Sequence, residues 1–507
     1  MAVVSGAGDF LAQYWPGILL LLAVAHFTRN YLTAGASSIP GPFWAKFSNL
    51  WRFIDVAHGH AEETLCKLHV EHGDYVRVGP NAVSVRNLDA LKTIYGINQG
   101  YQKASHLEPQ VELSARPDST ECSNRWQTGN QPPTLFTTTD ENFHAAIKRP
   151  VTSAYSMSTL TEFEPFVDST IHTFFRRLDE FVTQNKVCDI AKGCDVEGIM
   201  GAIEKMLDYA GKVGQMPWLD YVLIKNPLRQ YIKGGSTSAV ARFARARIDE
   251  RFRELSEAGQ AASPPRTHRD FLARFLEAQK AHPNVVTDNQ VFSYTVSNVN
   301  AGSDTTAISL RAILYYTLKT PRVSEKLDKE LRLALDEGRI SFPVSWKQSQ
   351  EQLPYLDAVI KEALRLHPAV GLLLERIVPE GGLQLPGGPY LPGRTIVGAN
   401  PWTIHRHSCF GKEVNSFIPE RWLRAEGESE SAYQSRKQQM LRATFTFGAG
   451  PRTCIGKNIS LLEIYKLIPS LLLRYKISLD KPDSNWTTVN AWFVRQKNMD
   501  VRLTYHN

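Results

Sequence analysis

The chain has 507 residues, 43% of them hydrophobic, far more than a marginal core needs, so neither disulfide staples nor a structural metal is required to hold it together. Its six cysteines, at 66, 122, 188, 194, 409 and 454, contain no CxxC pair, which argues against a disulfide framework. With 58 basic against 51 acidic residues the formal charge is +7, suited to an acidic protein or a membrane surface, and no basic run with interleaved aromatics supports nucleic-acid binding.

In chain order, the first element is an apolar stretch from Phe10 to Phe27, "FLAQYWPGILLLLAVAHF", interrupted by Gln13, Pro16 and His26 and barely long enough to span a bilayer. Asp9 precedes it where a secretory signal would carry Lys or Arg, so a retained signal-anchor is expected, although "AGA" at 34–36 resembles a cleavage site. Arg29 and Lys46 follow the run, which by the positive-inside rule places the bulk of the chain in the cytosol. The tripeptides "NIS" at 458 and "NWT" at 485 are then not glycan acceptors. "SSIPGP" (37–42) reads as a stiff, Pro-rich hinge. Beyond it there is no repeat and no linker, so the expected organisation is an anchor and flank over 1–36, the hinge over 37–42, and one large domain over 43–507.

"DYVRVGPNAVSVRN" (74–87) alternates around Gly-Pro-Asn and predicts a hairpin. Residues 104–134 lack apolar periodicity and predict a long loop. Helical periodicity dominates afterwards, over 158–184, 236–258, 288–319, 322–337, 355–367 and 457–474. The segment 376–400 instead predicts short strands separated by Gly-Pro turns. The fold class is therefore mainly α with small β-sheets.

Three polar clusters interrupt these patterns. "AGSDTT" (301–306) sets an acid and two hydroxyls midway along an apolar helix, where burial disfavours them. Either the hydroxyls bond back to the i−4 carbonyls and bend the helix, or the cluster is functional. "KEALRLHP" (361–368) places Glu362 and Arg365 on one helix face, able to pair there, though a solvated helix can carry the same pair. "FTFGAGPRTCIGKNIS" (445–460) sets Cys454 between glycine-bearing turns ahead of a helix. A zinc site lacks neighbouring ligands, and a phosphate cradle fails because Thr453 stands where a glycine is needed and Pro451 removes a donor. A small buried hydrophobe would fit the cysteine alone, but not the glycines, proline and arginine around it. A thiolate ligand accounts for them. Glycines 448, 450 and 456 let the backbone curl round the sulfur, N–H groups at the helix start lower its pKa, and Arg452 supplies a cation for a carboxylate.

"FGAGPRTCIG" (447–456) matches at every defining position the FxxGxRxCxG loop of the cytochrome P450 family, which the chain resembles over roughly residues 38–505. "NPWTIHR", "RTCIGKNISLLEIYKLIP" and "NAWFVRQ" look most like fungal enzymes of the pisatin-demethylase type, many of them in secondary metabolism. The resemblance implies a cytochrome P450 fold behind one N-terminal membrane-anchor helix, and haem (iron protoporphyrin IX) as cofactor, with Cys454 as the metal ligand. It also implies that Phe447 shields the sulfur, that Gly450 and Gly456 shape the loop, and that Arg452 pairs with a haem propionate. Glu362, Arg365 and Arg421 of "PERW" (419–422) would form a charged triad fixing the proximal side. Gly302 would leave room for dioxygen, with Asp304 and Thr305 delivering protons. In "FHAAIKRP" (143–150) His144 and Lys148 stand where the family commonly has Trp and Arg, and they remain candidate propionate contacts. Arg376 is another, an exposed surface arginine being the plainer alternative. Val299, Ala301, Val370 to Leu374, Trp492 and Phe493 are pocket candidates that could equally be core.

The function implied is a monooxygenase inserting one atom of O2 into an apolar small molecule. Its catalytic domain, 43–507, would face the cytosol from the endoplasmic reticulum. The 53 residues after Cys454 hold no flavodoxin-like domain and no iron–sulfur pattern, so a separate NADPH-dependent flavoprotein reductase is the expected partner. The alternatives are a haem-thiolate isomerase or dehydratase, and a non-catalytic haem-binding protein; Asp304 and Thr305 argue against both.

Overall fold

The computed structural model describes residues 2–33, 35–104, 134–189, 199–223, 239–257 and 269–506, so the expected loop at 104–134 lies outside the described residues except at its two ends. Helices of eight residues or more are α1 (Ala2–Tyr31), α2 (Leu50–His58), α3 (Ala61–His72), α4 (Glu141–Lys148), α5 (Glu164–Thr183), α6 (Ile199–Val213) and α7 (Ala239–Glu257). They continue with α8 (Phe271–Ala281), α9 (Asp288–Lys319), α10 (Pro321–Asp336), α11 (Pro354–Leu366), α12 (Glu430–Arg442) and α13 (Lys457–Arg474).

The main core forms where four apolar stripes meet. The stripes are Ile313 and Leu314 of α9, Val323, Leu327 and Leu331 of α10, Leu356, Val359 and Ile360 of α11, and Ile464, Ile468 and Leu471 of α13. In α10, α11 and α13 the i, i+3 or i+4 spacing puts each set on one helix face, and each such side chain contributes roughly 1.5–3 kcal/mol on full burial. Thr287 caps α9, its hydroxyl accepting from the Gln290 amide, and Pro354 occupies the first turn of α11, where its missing N–H costs nothing.

The sheets are small, as expected. Strands β1 (Tyr75–Gly79) and β2 (Ala82–Val85) form the predicted hairpin. Beside them lie β3 (Gln102–Lys103), β5 (Arg376–Ile377) and β8 (Ile396–Gly398), giving the order β1-β2-β8-β5-β3. Lys103 is in register with Arg376 across the β3–β5 pair. A second sheet runs β4 (Cys188–Asp189), β12 (Asp500–Tyr505), β9 (Tyr475–Leu479). Strands β6 (Leu383–Gln384) and β7 (Tyr390–Leu391) pair with each other, as do β10 (Thr487–Ala491) and β11 (Phe493–Lys497), which turn through Trp492 at φ +84°.

The N-terminal helix differs from the expectation of a membrane-spanning segment. Among the described residues no helix is long and apolar enough to cross a membrane. Gln13, Pro16 and His26 dilute the apolar run of α1, while Trp15 and Leu19 to Leu22 are exposed. The C-terminal end of α1 is fastened to the body. Buried Arg77 donates to the carbonyls of Asn30 and Tyr31, at 2.6 and 3.2 Å, and also to those of Gly79 and Pro80. Ala36, just before the hinge, and Ile39 within it are buried with Val83 and Leu391, so the hinge is packed against the body.

The charged triad is formed. Glu362 and Arg365 are both fully buried and joined by two parallel bonds of 2.8 and 2.7 Å. The same carboxylate accepts from Arg421 at 2.8 Å, from the Trp422 indole at 2.9 Å and from the Ile418 amide at 3.1 Å. Burial alone would raise the Glu362 pKa, but the bonds and charges of Arg365 and Arg421 overcome it and hold the group below its ordinary value. Glu362→Ala would leave two guanidinium groups without their counter-ion, so urea unfolding should show a loss of about 3–5 kcal/mol. A loss within about 0.5 kcal/mol, the range of ordinary surface substitutions, would show that the triad does not brace the fold.

Candidate haem site

The loop ahead of α13 turns on two left-handed glycines, Gly448 at φ +70° and Gly450 at φ +69°. An added Cβ at Gly450 would lie 2.0 Å from the Tyr95 carbonyl oxygen, so no side chain fits there. The Cys454 amide donates to the Phe447 carbonyl at 2.9 Å, and both the amide and the hydroxyl of Thr453 donate to Gly450, closing the loop. Gly456 differs from the sequence expectation: its φ is −80°, open to any residue, and an added Cβ would sit 3.8 Å from Sγ. Its lack of a side chain keeps the flank of the sulfur clear instead of bending the backbone.

Cys454 is solvent-accessible although closely surrounded by protein. Burial raises the thiol pKa, and the Gly456 amide, Lys148 and the Lys457 amide pull it back only in part. The lowering expected from the helix start is therefore real but outweighed. A bound metal would deprotonate the thiol outright.

Contacts between α9 and the start of α13 bracket the polar turn of α9. The Tyr155 hydroxyl donates to Asn298, and its carbonyl accepts from Asn458. The Thr306 and Ser460 hydroxyls lie 3.1 Å apart, and Glu463 bonds Thr306, its pKa raised by burial to about 7. Between these contacts Ala301, Gly302 and Ser303 are exposed, while the C-terminal half of α9 is largely buried. An added Cβ at Gly302 would meet nothing within 4 Å. The Thr305 hydroxyl donates to the Ala301 carbonyl at 2.6 Å and that of Ser303 to Val299 at 2.8 Å, yet the helix stays α-helical throughout. Asp304 is buried, with Oδ2 lacking any hydrogen-bond partner. Burial raises its pKa to about 6 against the pull of Arg495.

A cluster of cations occupies the other side of the cysteine loop. Arg452 Nε donates to Glu141 at 2.9 Å, while its Nη1 and Nη2 are buried without partners. Lys148 Nζ donates to the Pro451 carbonyl at 2.7 Å. Arg376 is buried, which removes the surface alternative, and lies 5.0 Å over the Tyr95 ring. Lys103 is pushed down to about 7 by burial and by Arg452 and Arg376. His144 falls to about 4 through burial, then Arg452 and Lys148, so it is a neutral hydrogen-bonding group. Glu141 alone among these is acidic, and it is held below its ordinary value mainly by Arg452, against burial.

These residues fit haem. Two orphaned guanidinium nitrogens and mutually repelling cations suit the paired carboxylates of a porphyrin, and the accessible thiol with the open turn of α9 suits its iron and faces. Sequence reasoning missed Lys103, Glu141, Glu463 and His405. Lys103 is revealed only by its register with Arg376, and Glu141 by its place three residues before His144. His405 of "NPWTIHR" joins the triad to the loop: its Nδ1 lies 2.8 Å from the Arg365 carbonyl, and its Nε2 accepts from the Phe445 amide at 2.7 Å. Of the pocket candidates, Leu372 and Leu373 are buried core residues. Val299 and Leu374 are partly buried, Val370 bridges Phe493, and Trp492 packs edge-on against Phe136.

Comparison with known proteins gives the same picture. The sequence profile described as Cytochrome P450 matches residues 194–501. The chain is 39% identical over 502 residues to the cytochrome P450 monooxygenase cicH of Emericella nidulans, covering 93% of this chain and 94% of that protein. It is 38% identical to a cytochrome P450 monooxygenase of Aspergillus terreus, covering 91% and 94%. With the monooxygenase vrtE of Penicillium aethiopicum it shares 32% identity over 98% and 95%. Among solved structures, that of the cytochrome P450 CYP102L1 superposes with a TM-score of 0.66 at 18% identity, covering 90% of this chain and 96% of that one. On the profile match and these relatives, the chain belongs to the cytochrome P450 family.

Proposed function

We propose that this chain is a haem-thiolate monooxygenase that inserts one oxygen atom of O2 into an apolar small molecule of fungal secondary metabolism. The observation that carries this reading is the pairing of an accessible cysteine, flanked by helix N–H groups, with the open Gly302 turn and the Asp304–Thr305 pair. Haem, when bound, supplies the redox-active iron that activates dioxygen. Cys454 would hold it through the sulfur, whose donor strength the Gly456 and Lys457 amides would temper, while the Phe447 carbonyl fixes the Cys454 amide. Arg452, Arg376 and Lys148 would hold the propionates, with His144 as a neutral donor and Lys103 as a further cation.

Placing one oxygen atom in the substrate and the other in water consumes two electrons and two protons. Asp304, its pKa raised by burial to about 6, exchanges a proton readily near neutrality, and the Thr305 hydroxyl stands beside it on the open turn. An isomerase has no use for that exchange. The electrons come from a separate NADPH-dependent flavoprotein reductase. Val299, Ala301, Val370, Leu374, Trp492 and Phe493 supply the apolar wall for substrate. Attachment to the cytosolic face of the endoplasmic reticulum is supported by the exposed Trp15 and Leu19 to Leu22 of α1 and by the exposed Phe43 and Trp44 beyond the hinge.

Cys454→Ser should abolish the strongly red-shifted Soret band of the reduced carbon monoxide complex; a wild-type spectrum like that of a histidine-ligated haem protein would defeat the ligand assignment. Thr305→Ala should keep consuming NADPH with reductase present while releasing hydrogen peroxide in place of product. Full product yield per NADPH would reduce the hydroxyl to its bond with Ala301. Deleting residues 1–36 should release the protein from microsomal membranes with haem content intact, and carbonate-resistant attachment of the truncated chain would refute the anchor.

A further inference from the structure

Behind Asp304 lies a charged cluster that the reading above does not use. Arg495 of β11 is 8% exposed, yet its guanidinium is 3.6 Å from Glu204 and in direct contact with Asp208, two carboxylates on α6 that are each about half exposed. Arg495 Nη1 is buried without a hydrogen-bond partner, as is Asp304 Oδ2. Next to Arg495, Gln496 donates to the carbonyl of Ile308, one turn beyond Asp304, and so clamps β11 against this stretch of α9. The charges acting on Asp304 are Arg495, which favours its ionised form, and Glu204, which opposes it. Further along α9, Arg311 faces Asp189 of β4 at 3.7 Å and feels Asp500 of β12 and Glu204. These are the charged groups that α6, β4, β11 and β12 turn toward this part of the helix.

A buried acid that has given up its proton is costly unless a cation is at hand and a path to water exists for recovery. An arginine cannot itself relay protons, since it stays charged, but its planar fork can hold two carboxylates at once. Resting on the reading of Asp304 as proton donor, we propose that Arg495 is a positioning residue: it gathers Glu204 and Asp208 at the solvent edge of α6 behind Asp304, making them the inlet through which Asp304 is reprotonated.

The test follows the ionisation of Asp304 without relying on turnover. The unfolding midpoint of the haem-loaded protein is measured against pH with and without Asp304→Asn, and the difference between the two isolates this carboxyl. Its pKa of about 6 exceeds an unfolded value near ~4, so its stabilising contribution is complete below ~4 and is lost as pH rises through about 6. In an Arg495→Gln background the window should move up by about one pH unit, because a cation is lost. In a Glu204→Gln background it should move down by a similar amount, because an anion is lost. Arg495→Lys, which keeps a cation there, should reverse part of that upward shift. A merely structural arginine would lower the midpoint without making uncoupling depend on pH, so peroxide release against pH is the readout that separates the two roles. With reductase, Arg495→Gln should also raise peroxide release more at high pH than at low pH.

If Arg495→Gln fails to fold, the double variant Glu204→Gln, Asp208→Asn carries the test, and absence of a downward shift overturns the proposal. Windows that stay fixed while Asp304→Asn uncouples turnover defeat the role of Arg495 alone. If Asp304→Asn leaves product yield per NADPH unchanged, the proton-donor reading itself falls, whatever the windows do.

Discussion

One buried carboxylate holds the cysteine side of this protein in place. Glu362 has five donors' worth of attention from Arg365, Arg421, Trp422 and the Ile418 amide, and Arg365 in turn reaches the carbonyls of His405, Val414 and Ser416. Through Arg365 the constraint passes to His405. Burial drives that ring's pKa down to about 3, so it is neutral, and its partners assign the tautomer: Nδ1–H donates to the Arg365 carbonyl and Nε2 accepts from the Phe445 amide. Phe445 opens the loop that ends at Cys454. The loop that carries the sulfur is thus anchored at Phe445 by a line of buried polar contacts, each of which would be expensive to leave unmet.

Charge is distributed unevenly around the cleft so built. On the side of Arg452, cations crowd one another and lose proton affinity, Lys103 to about 7 and His144 to about 4. Along α9 and α13, burial moves carboxyls the other way, Asp304 to about 6 and Glu463 to about 7. The first arrangement is one that an anionic ligand relieves. The second brings buried carboxyls into the range where they exchange protons near neutral pH. Both follow from desolvation, with the sign set by the charge of the side chain.

The elements most legible in the sequence were those with a local signature. The helices at 288–319 and 457–474 coincide with α9 and α13 because apolar period and flanking turns agree, with the Thr287 cap in addition on α9. Cys454, Glu362, Arg365 and Arg421 stood out because their motif spacing is short or distinctive. By contrast α12 went unremarked: "ESAYQSRKQQMLR" is polar on nearly every side, and only Met440 is buried, so no apolar stripe announces it. The contact of Lys103 with the Arg376 strand, and of Arg495 with α6, joins residues hundreds of positions apart through two-residue or hairpin strands that carry no period. The glycine at 456 shows a subtler limit, since a motif records that a residue is needed without recording whether backbone or space needs it.

Arg77 gives the N-terminal helix a different character from that of a tether. Because its guanidinium takes the last carbonyls of α1 while the Arg77 amide donates to Pro40 at 2.8 Å, helix, hinge and five-stranded sheet meet at a single buried residue. A joint of that kind transmits torque. Successive positions on a helix differ by about 100° in azimuth, so the stripe of α1 that rests against any surface dictates the compass bearing of the sheet, and with it the side of the protein turned toward that surface.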